Sequence, residues 1–213
     1  MLKLNRRAMI ALAAAATAAM APGAFTPALA QEAVAPATTE PGDFSLGSPD
    51  AKVKIVEYAS FTCPHCANFH ATVFKDLKKD YIDTGKVHFT LREVYFDRYG
   101  LWAALIARCG GEMKYFGIHD MLFDQQREWA ASEDPTQVVA NLKTIGLAAG
   151  LDDAGMDKCL NDSATAEAMI KRFQANMEAD GVEGTPTLFV NGTNIGNPGW
   201  DALKAAVEAE LAK

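Results

Sequence analysis

The stretch that decides the fold is residues 53–66, VKIVEYASFTCPHC, where an apolar run leads into two cysteines. Its first six residues have the β-branched and aromatic composition of a strand. From Pro64, apolar side chains recur at the three- and four-residue spacing of a helix, which we expect to reach Tyr81 before Gly85 breaks it. Residues 87–92 alternate apolar and polar side chains and predict a second strand. Because a helix connects them, the two strands should pair in parallel.

Beyond this unit, residues 101–181 have helical periodicity throughout, which predicts an all-helical insertion. Asp134-Pro135 within it has the form of an N-cap followed by a first-turn proline, and Gly181 is a plausible C-cap. The insertion would therefore consist of several separate helices rather than one.

The C-terminal part has the pattern of a hairpin followed by a helix. Residues 187–190 and 193–195 have strand composition and flank Asn191-Gly192, a preferred two-residue turn. A last helix is expected from about Trp200. The predicted fold class is α/β, with the order β, α, β, helical insertion, β-hairpin, α.

The first 30 residues have the three-part layout of a secretory signal. Lys3, Arg6 and Arg7 precede an apolar run at residues 8–21, and Ala-Leu-Ala closes the segment, so we expect cleavage after Ala30. The alternative is a membrane anchor, but the run is shorter than the ~20 residues needed to span a bilayer. The adjacent arginines resemble a twin-arginine export signal and are equally compatible with an ordinary charged leader.

Residues 31–50 are rich in Pro, Ala, Thr and Gly without any period, which predicts a flexible tail before a domain at residues 51–213. The chain has a net charge of −7, and removing the three basic residues of the leader makes it −10. Without a cluster of Lys and Arg in the globular part, nucleic acid is not an expected partner. A composition of 49% hydrophobic and 22% charged residues is typical of a packed globular domain.

The two cysteines of the CPHC sequence lie where the predicted strand meets the predicted helix, with Pro64 at the favoured first helical position. A thiolate at a helix N-terminus gains ~0.3–2 kcal/mol from the dipole. We therefore expect a lowered pKa for Cys63 and assign it as the nucleophile, with His65 adding to the stabilisation. Cys66, one turn into the helix, would resolve a mixed disulfide, and the stabilised thiolate would make the disulfide an oxidant.

Metal binding is the alternative chemistry for these cysteines. A structural zinc site needs four ligands, but there is no second CxxC, and His70 and His65 are the only histidines nearby in sequence. Haem attachment needs a histidine directly after Cys66, where the chain has Ala67. A Cu(I)-binding metallochaperone that uses both thiolates remains open. We expect no metal site and no cofactor besides the redox-active disulfide.

Residues 57–66, the predicted insertion and the sequence GTPT at residues 184–187 together resemble the DsbA family of bacterial periplasmic thiol–disulfide oxidoreductases. The similarity covers about residues 45–213. It implies a thioredoxin-like fold with a helical insertion, and a monomeric exported enzyme that introduces disulfide bonds into folding proteins with free cysteines. It also implies reoxidation by a membrane quinone reductase of the DsbB type.

Residue by residue, the resemblance makes Cys63 the attacking cysteine and Cys66 its buried partner. Pro186 matches a proline with a cis peptide bond that packs against the disulfide. Glu57 matches a buried acid that accepts or relays the proton of Cys66, although composition alone would make it an exposed strand residue. Thr185 stands where the best-known oxidases have valine and isomerases more often have threonine, so an isomerase or reductase is the alternative enzyme.

The other two cysteines, Cys109 and Cys159, remain once the redox pair is assigned, and we predict a structural disulfide between them, as in some relatives. In the chain-entropy model this loop closure stabilises by up to about 4 kcal/mol. Two free buried thiols are the alternative. His70, His88 and His119 follow no ligand pattern and are interpreted as core-edge or surface residues.

Overall fold

The computed structural model describes residues 41–213, which contain one five-stranded sheet. Its strands, given in spatial order, are β1 (Phe44–Leu46), β3 (Val87–Glu93), β2 (Val53–Ala59), β4 (Thr187–Val190) and β5 (Thr193–Gly196). The pair β2–β3 is parallel, which confirms the predicted βαβ unit, and all other pairs are antiparallel. β2 therefore lies at the centre of the sheet and not at an edge.

Strand β1 corrects the expectation of a flexible tail through residue 50. It pairs with β3, placing Phe44 opposite Leu91, and the Phe44 ring stacks on Tyr115 at a centroid distance of 4.0 Å. Three residues are too few to show a period in the sequence, so only the partner strand reveals this one. The predicted leader at residues 1–30 and the tail at residues 31–40 lie outside the described residues.

The helical run that follows β2 covers residues 64–82 and carries the two cysteines at its start. It consists of α1 (Pro64–Phe69), a π-type segment (His70–Phe74), α2 (Lys75–Leu77) and a second π-type segment (Lys78–Ile82). The predicted helix is confirmed in its extent, whereas the π-type hydrogen bonding was not predicted. π-type turns inside helices are often found at functional sites.

The helical insertion lies between β3 and β4, close to the bounds that the sequence predicted. Asp134 caps its helix by accepting a hydrogen bond from the N–H of Thr136, and Gly181 ends the last one in the left-handed conformation, as expected. The helices are α3 (Arg98–Cys109), α4 (Gly111–Asp124), α5 (Gln126–Trp129), α6 (Pro135–Ala148), α7 (Asp153–Leu160) and α8 (Ser163–Asp180), and α9 (Trp200–Leu211) follows the hairpin. Across residues 41–213, no helix is long and apolar enough to cross a membrane.

Sheet and insertion share one hydrophobic core, in which a few polar side chains are also buried. Cys109 at the end of α3 is joined to Cys159 in α7 by a disulfide, so the insertion is covalently closed as predicted. The buried polar side chains are Glu57, Ser60, His70, Glu93, His119 and Gln126. Most of them surround the start of α1, which makes that region the candidate site.

Candidate active site

Cys63 is the N-cap residue of α1, and its extended backbone conformation (φ −79°, ψ 118°) turns the chain from the end of β2 into the helix. Pro64 occupies the first helical turn, where its missing N–H costs nothing. The carbonyl of Cys63 accepts the N–H of Ala67 at 3.2 Å, and its Sγ, which is partly exposed, donates to the carbonyl of Thr185 at 3.4 Å. The sulfur is therefore held at the helix N-terminus and remains accessible.

The surroundings of Cys63 lower the pKa of its thiol from 9.0 to about 5. The largest cause is a hydrogen bond from the thiol of Cys66, which burial opposes; the Thr185 side chain and the backbone N–H groups of Cys66 and His65 add to the lowering. His65 thus contributes through its backbone, while its side chain is exposed. A contribution from the imidazole stays a prediction.

Cys66 lies one turn into α1, has no exposed surface and, like Cys63, is a free thiol in the structure. Burial raises the pKa of its thiol, and the hydrogen bond to Cys63 and the nearby charge of Glu57 raise it further. The two thiols therefore differ sharply in acidity. This asymmetry favours Cys63 as the nucleophile and leaving thiolate, and it requires a proton for Cys66 whenever that sulfur is released.

Glu57 is fully buried on the face of β2 that also carries Val53 and Ile55. Burial raises the pKa of its carboxyl to about 8, an effect that the charge of His119 opposes and that of Cys63 reinforces. Neither carboxyl oxygen has a hydrogen-bond partner among residues 41–213. A carboxyl that is mostly protonated at neutral pH is suited to supply a proton to Cys66.

Two histidines that the sequence placed at the core edge or surface are in fact buried next to Glu57. His70 and His119 are 3% and 0% exposed, and their rings are 4.4 Å apart between centroids. Nε2 of His70 lies 3.3 Å from Oε2 of Glu57. Burial lowers the pKa of both imidazoles, that of His70 to about 3. The interpretation failed because their proximity arises from the packing of α4 against the helical run after β2.

The loop before β4 closes the site from the other side. The Thr185–Pro186 peptide bond is cis, as the resemblance implied, and Pro186 is buried. Thr185 Oγ1 is buried and has no hydrogen-bond partner in the described part of the chain, so it can donate to a Cys63 thiolate. The structure thus brings Thr185 and Cys63 together from positions more than one hundred residues apart.

A further residue, Gln126, was missed by sequence reasoning. It is 7% exposed at the start of α5, and its Nε2 donates to the carbonyls of Phe61 (2.7 Å) and Cys63 (2.9 Å). One side chain of the insertion therefore fixes the backbone on which the nucleophile sits. A single glutamine in a helical segment carries no sequence signal that would reveal this contact.

One group of side chains near the cysteines could hold a metal ion. A ring nitrogen from each of His70 and His119 and a carboxylate oxygen of Asp120 all lie within 4.8 Å of one another. No metal site was expected from the sequence, and the closeness of these donors could not be seen there because they come from two helical segments that are far apart in the chain.

The sequence model of the family Thioredoxin matches residues 39–209. A relative named as a protein-disulfide oxidoreductase in Rickettsia bellii is 35% identical over 79% of this chain and 64% of its own length. A relative named as disulfide bond formation protein D in Bacillus anthracis is 32% identical over 79% of this chain and 78% of its own. The chain spans 60% to 64% of the length of the rickettsial relatives.

Solved structures of similar proteins have the same fold as this chain. The crystal structure of alpha-DsbA1 from Wolbachia pipientis superposes with a TM-score of 0.75 and 26% identity, covering 81% of this chain and 92% of that one. Oxidised BdbD from Bacillus subtilis has a TM-score of 0.71 at 24% identity, covering 80% of this chain and 94% of that one, which supports the fold. The thioredoxin-like fold with a helical insertion is therefore confirmed.

Proposed function

The chain belongs to the thioredoxin-like family that includes the DsbA and disulfide-bond-formation proteins, and from this premise we propose that it introduces disulfide bonds into other proteins. The main support for this proposal is the difference in pKa and in exposure between the thiols of Cys63 and Cys66. The partly exposed Cys63 has a pKa lowered to about 5, whereas burial raises the pKa of Cys66. A stabilised Cys63 thiolate favours the reduced form and so makes the disulfide a strong oxidant.

The reaction is a pair of thiol–disulfide exchanges. A substrate thiolate attacks Sγ of Cys63 in the Cys63–Cys66 disulfide, so that a mixed disulfide forms and Cys66 leaves as a thiolate. Glu57, in its protonated form, can supply the proton that the buried Cys66 sulfur needs. A second substrate thiolate then attacks the substrate sulfur of the mixed disulfide and releases Cys63 as a thiolate. The substrate gains a disulfide, and the enzyme pair has taken up two electrons.

The neighbouring residues position these steps. Gln126 fixes the Cys63 carbonyl, and Thr185 next to the cis-proline Pro186 approaches the Cys63 sulfur. The partly exposed backbone around Thr185 would be offered to an extended substrate segment. The chemistry needs no cofactor, because both electrons are held by the Cys63–Cys66 pair.

The proposed location is the periplasm, and the proposed substrates are exported proteins with free cysteines. An apolar leader with an Ala-Leu-Ala end supports export, and the Cys109–Cys159 disulfide suits an oxidising compartment. We propose a monomer that is reoxidised by a membrane quinone reductase of the DsbB type. Cell fractionation with N-terminal sequencing tests the location, and a mature chain that starts at Gln31 is the expected result.

The deciding experiment is the reduction potential of the Cys63–Cys66 pair, measured by equilibration with glutathione. We expect a potential clearly above the roughly −270 mV of thioredoxin, together with oxidation of a reduced, unfolded substrate. Cys63→Ser should abolish this oxidation, whereas Cys66→Ser, which cannot form the disulfide itself, should be trapped as a mixed disulfide at Cys63 when it is offered a substrate that already contains a disulfide. A potential at or below that of thioredoxin would refute the oxidase and favour a reductase.

A further inference from the structure

The side chains of His70, His119 and Asp120 lie close together, and His70 and Asp120 also line a small cavity. We propose that these three residues form a binding site for one divalent transition-metal ion, with Zn²⁺ as its simplest occupant. The proposal is independent of the oxidase function, because it uses none of the cysteines.

The donor atoms are close enough for a shared ion. One ring nitrogen of each histidine and one carboxylate oxygen of Asp120 lie within 4.8 Å of one another, so modest side-chain movements would bring all three to a common centre. His70 comes from the π-type segment after α1 and His119 from α4. The two helical segments hold the imidazoles in place by packing, with Phe123 stacked on His70 at a centroid distance of 4.1 Å.

The buried imidazoles also have unused hydrogen-bonding capacity. Nε2 of His70 and Nε2 of His119 are buried without a hydrogen-bond partner among residues 41–213. Buried polar atoms of this kind are rare in native proteins and call for an explanation such as a bound ion or water. The unpaired Nε2 of His119, in a ring 4.4 Å from that of His70, is available to an ion, whereas Nε2 of His70 lies next to the Glu57 carboxyl and leaves Nδ1 as the ligand atom of that ring.

Glu57 supplies the outer shell that such sites usually have. Its Oε2 lies 3.3 Å from Nε2 of His70, so this nitrogen can donate to the carboxyl oxygen while Nδ1 remains for the ion. Metal-binding histidines commonly donate their second nitrogen to a carboxylate, which fixes the ring orientation and raises the basicity of the ligand.

The cavity next to His70 and Asp120 is large enough to hold the ion. A cavity of about 80 Å³ is lined by His70, Phe74, Lys75, Lys78, Asp120, Phe123 and Asp124. This exceeds the ~30 Å³ that one water molecule occupies in the liquid, so an ion and a water ligand fit. The two lysines do not face the site as free cations, since Lys75 pairs with Asp124 at 3.0 Å and Lys78 with Asp83 at 2.7 Å.

The donor types determine the class of ion. Two imidazoles and one carboxylate suit Zn²⁺ and its neighbours Co²⁺, Ni²⁺ and Cu²⁺, whereas Mg²⁺ and Ca²⁺ prefer oxygen ligands. Three protein ligands leave the fourth position of a tetrahedral ion for water.

The test is calorimetric titration of Zn²⁺ into the full protein with Cys63–Cys66 kept oxidised, so that no thiolate can bind the metal. We expect saturable binding of one ion per chain. Asp120→Asn and His70→Gln should each weaken it more than tenfold, and Glu57→Gln should weaken it about 10–100-fold as an outer-shell change. Co²⁺ in place of Zn²⁺ should give the visible absorption of an imidazole-bound ion, and the same variants should lose it.

Two matched controls should leave the binding unchanged: His65→Gln, which removes an exposed histidine, and Glu112→Gln, which removes an exposed acid from the same helix as Asp120. Asp120 is about half exposed, so its variant should keep the wild-type unfolding temperature and separates ligand loss from misfolding. No saturable binding, or equal binding by the wild type and the folded Asp120→Asn variant, would overturn the proposal.

Discussion

Two buried glutamates on neighbouring strands of the same sheet differ in the hydrogen-bond donors around them. Glu57 on β2 and Glu93 on β3 are 0% and 5% exposed, and the register pairs Ala59 with Glu93, so both side chains point to the same face of the sheet. Glu57 has no hydrogen-bond partner in the described chain, whereas both oxygens of Glu93 are bonded.

Glu93 is surrounded by donors. The hydroxyls of Tyr95 and Tyr115 donate to it, and Arg108 Nε donates to its Oε2 at 2.7 Å. Arg108 also donates to the carbonyl of Gly42 at 2.9 Å, which ties β1 to this network. Burial raises the pKa of both tyrosines, so they remain protonated donors.

The number of hydrogen-bond donors around a buried acid, more than its burial, decides what that acid does. A carboxylate with three donors is an anchor that links strand, insertion and N-terminal segment. A carboxyl without donors, whose pKa burial raises to about 8, retains a proton that can be exchanged. The hydrogen bonds of Glu93 stabilise the fold, whereas the unpaired Glu57 carboxyl can exchange a proton but lowers the stability of the fold.

The largest effect on the free energy of unfolding is expected from Glu93→Leu, which removes the carboxylate that Arg108, Tyr95 and Tyr115 share. The change leaves the buried guanidinium of Arg108 without its counter-charge, so the free energy of unfolding should fall by about 3–5 kcal/mol. Urea denaturation measures the loss. A double variant with Arg108→Met should recover part of it, because no buried charge then remains unpaired. A single variant within about 1 kcal/mol of the wild type would contradict the anchor.

A smaller effect, which depends on pH, is expected from Glu57→Gln. The folded carboxyl has a pKa of about 8 against an ordinary value of 4.5, so the folded state holds a proton that the unfolded state releases between these values. Its contribution to the free energy of unfolding therefore falls as pH rises through this window. The stability of the variant relative to the wild type should rise by about 3–4 kcal/mol between pH 5 and pH 8.

The same Glu57→Gln variant should slow reduction of the disulfide by roughly 10²-fold at neutral pH, since glutamine cannot supply a proton to Cys66. Stopped-flow mixing with a dithiol measures the rate. Glu93→Gln is the matched control, because it changes a buried acid of the same sheet that lies outside the proton path. Equal rates in both variants would remove Glu57 from the mechanism.

The smallest effect is expected from Gln126→Leu, which removes two hydrogen bonds to the backbone around Cys63 while keeping a side chain of similar size. The pKa of Cys63, about 5 in the wild type, should rise by roughly half a unit to one unit, the equivalent of one net hydrogen bond. Ultraviolet absorbance of the thiolate in the reduced protein follows this shift. An unchanged pKa would make Gln126 a purely structural residue.

The stability of the reduced protein should also depend on pH through the Cys63 thiolate. The pKa of Cys63 is lowered from 9.0 to about 5, so its thiolate stabilises the folded reduced protein fully above pH 9. This contribution decreases below pH 9 and is lost as the pH falls through about 5. In Gln126→Leu it should be lost at a higher pH, while Arg127→Ala, an exposed neighbour, should match the wild type.

Much of the fold was predictable because its signals are local. The strand and helix periods around Cys63, the Asp134-Pro135 helix start and the Asn191-Gly192 turn each depend on neighbours in sequence, and the structure confirms each one. Strand β1 was not predictable, since three residues without a period become a strand only beside β3.

The site was predictable in part. The position of Cys63 at a helix N-terminus follows from the order of strand, cysteine and proline, and so does the direction of its pKa shift. His70, His119 and Gln126 could not be assigned, because each acts through a contact with a residue far away in the chain.

The sequence by itself determined which elements form, where the nucleophile lies and which chemistry its neighbours allow, since helix caps, turns and apolar periods act over a few residues. The tertiary structure alone decided that Glu57 is left without a donor while Glu93 receives three, and that two histidines meet beside the redox pair. The physical reason is that desolvation and hydrogen-bond partners depend on which distant side chains pack around a group, and no local pattern encodes that.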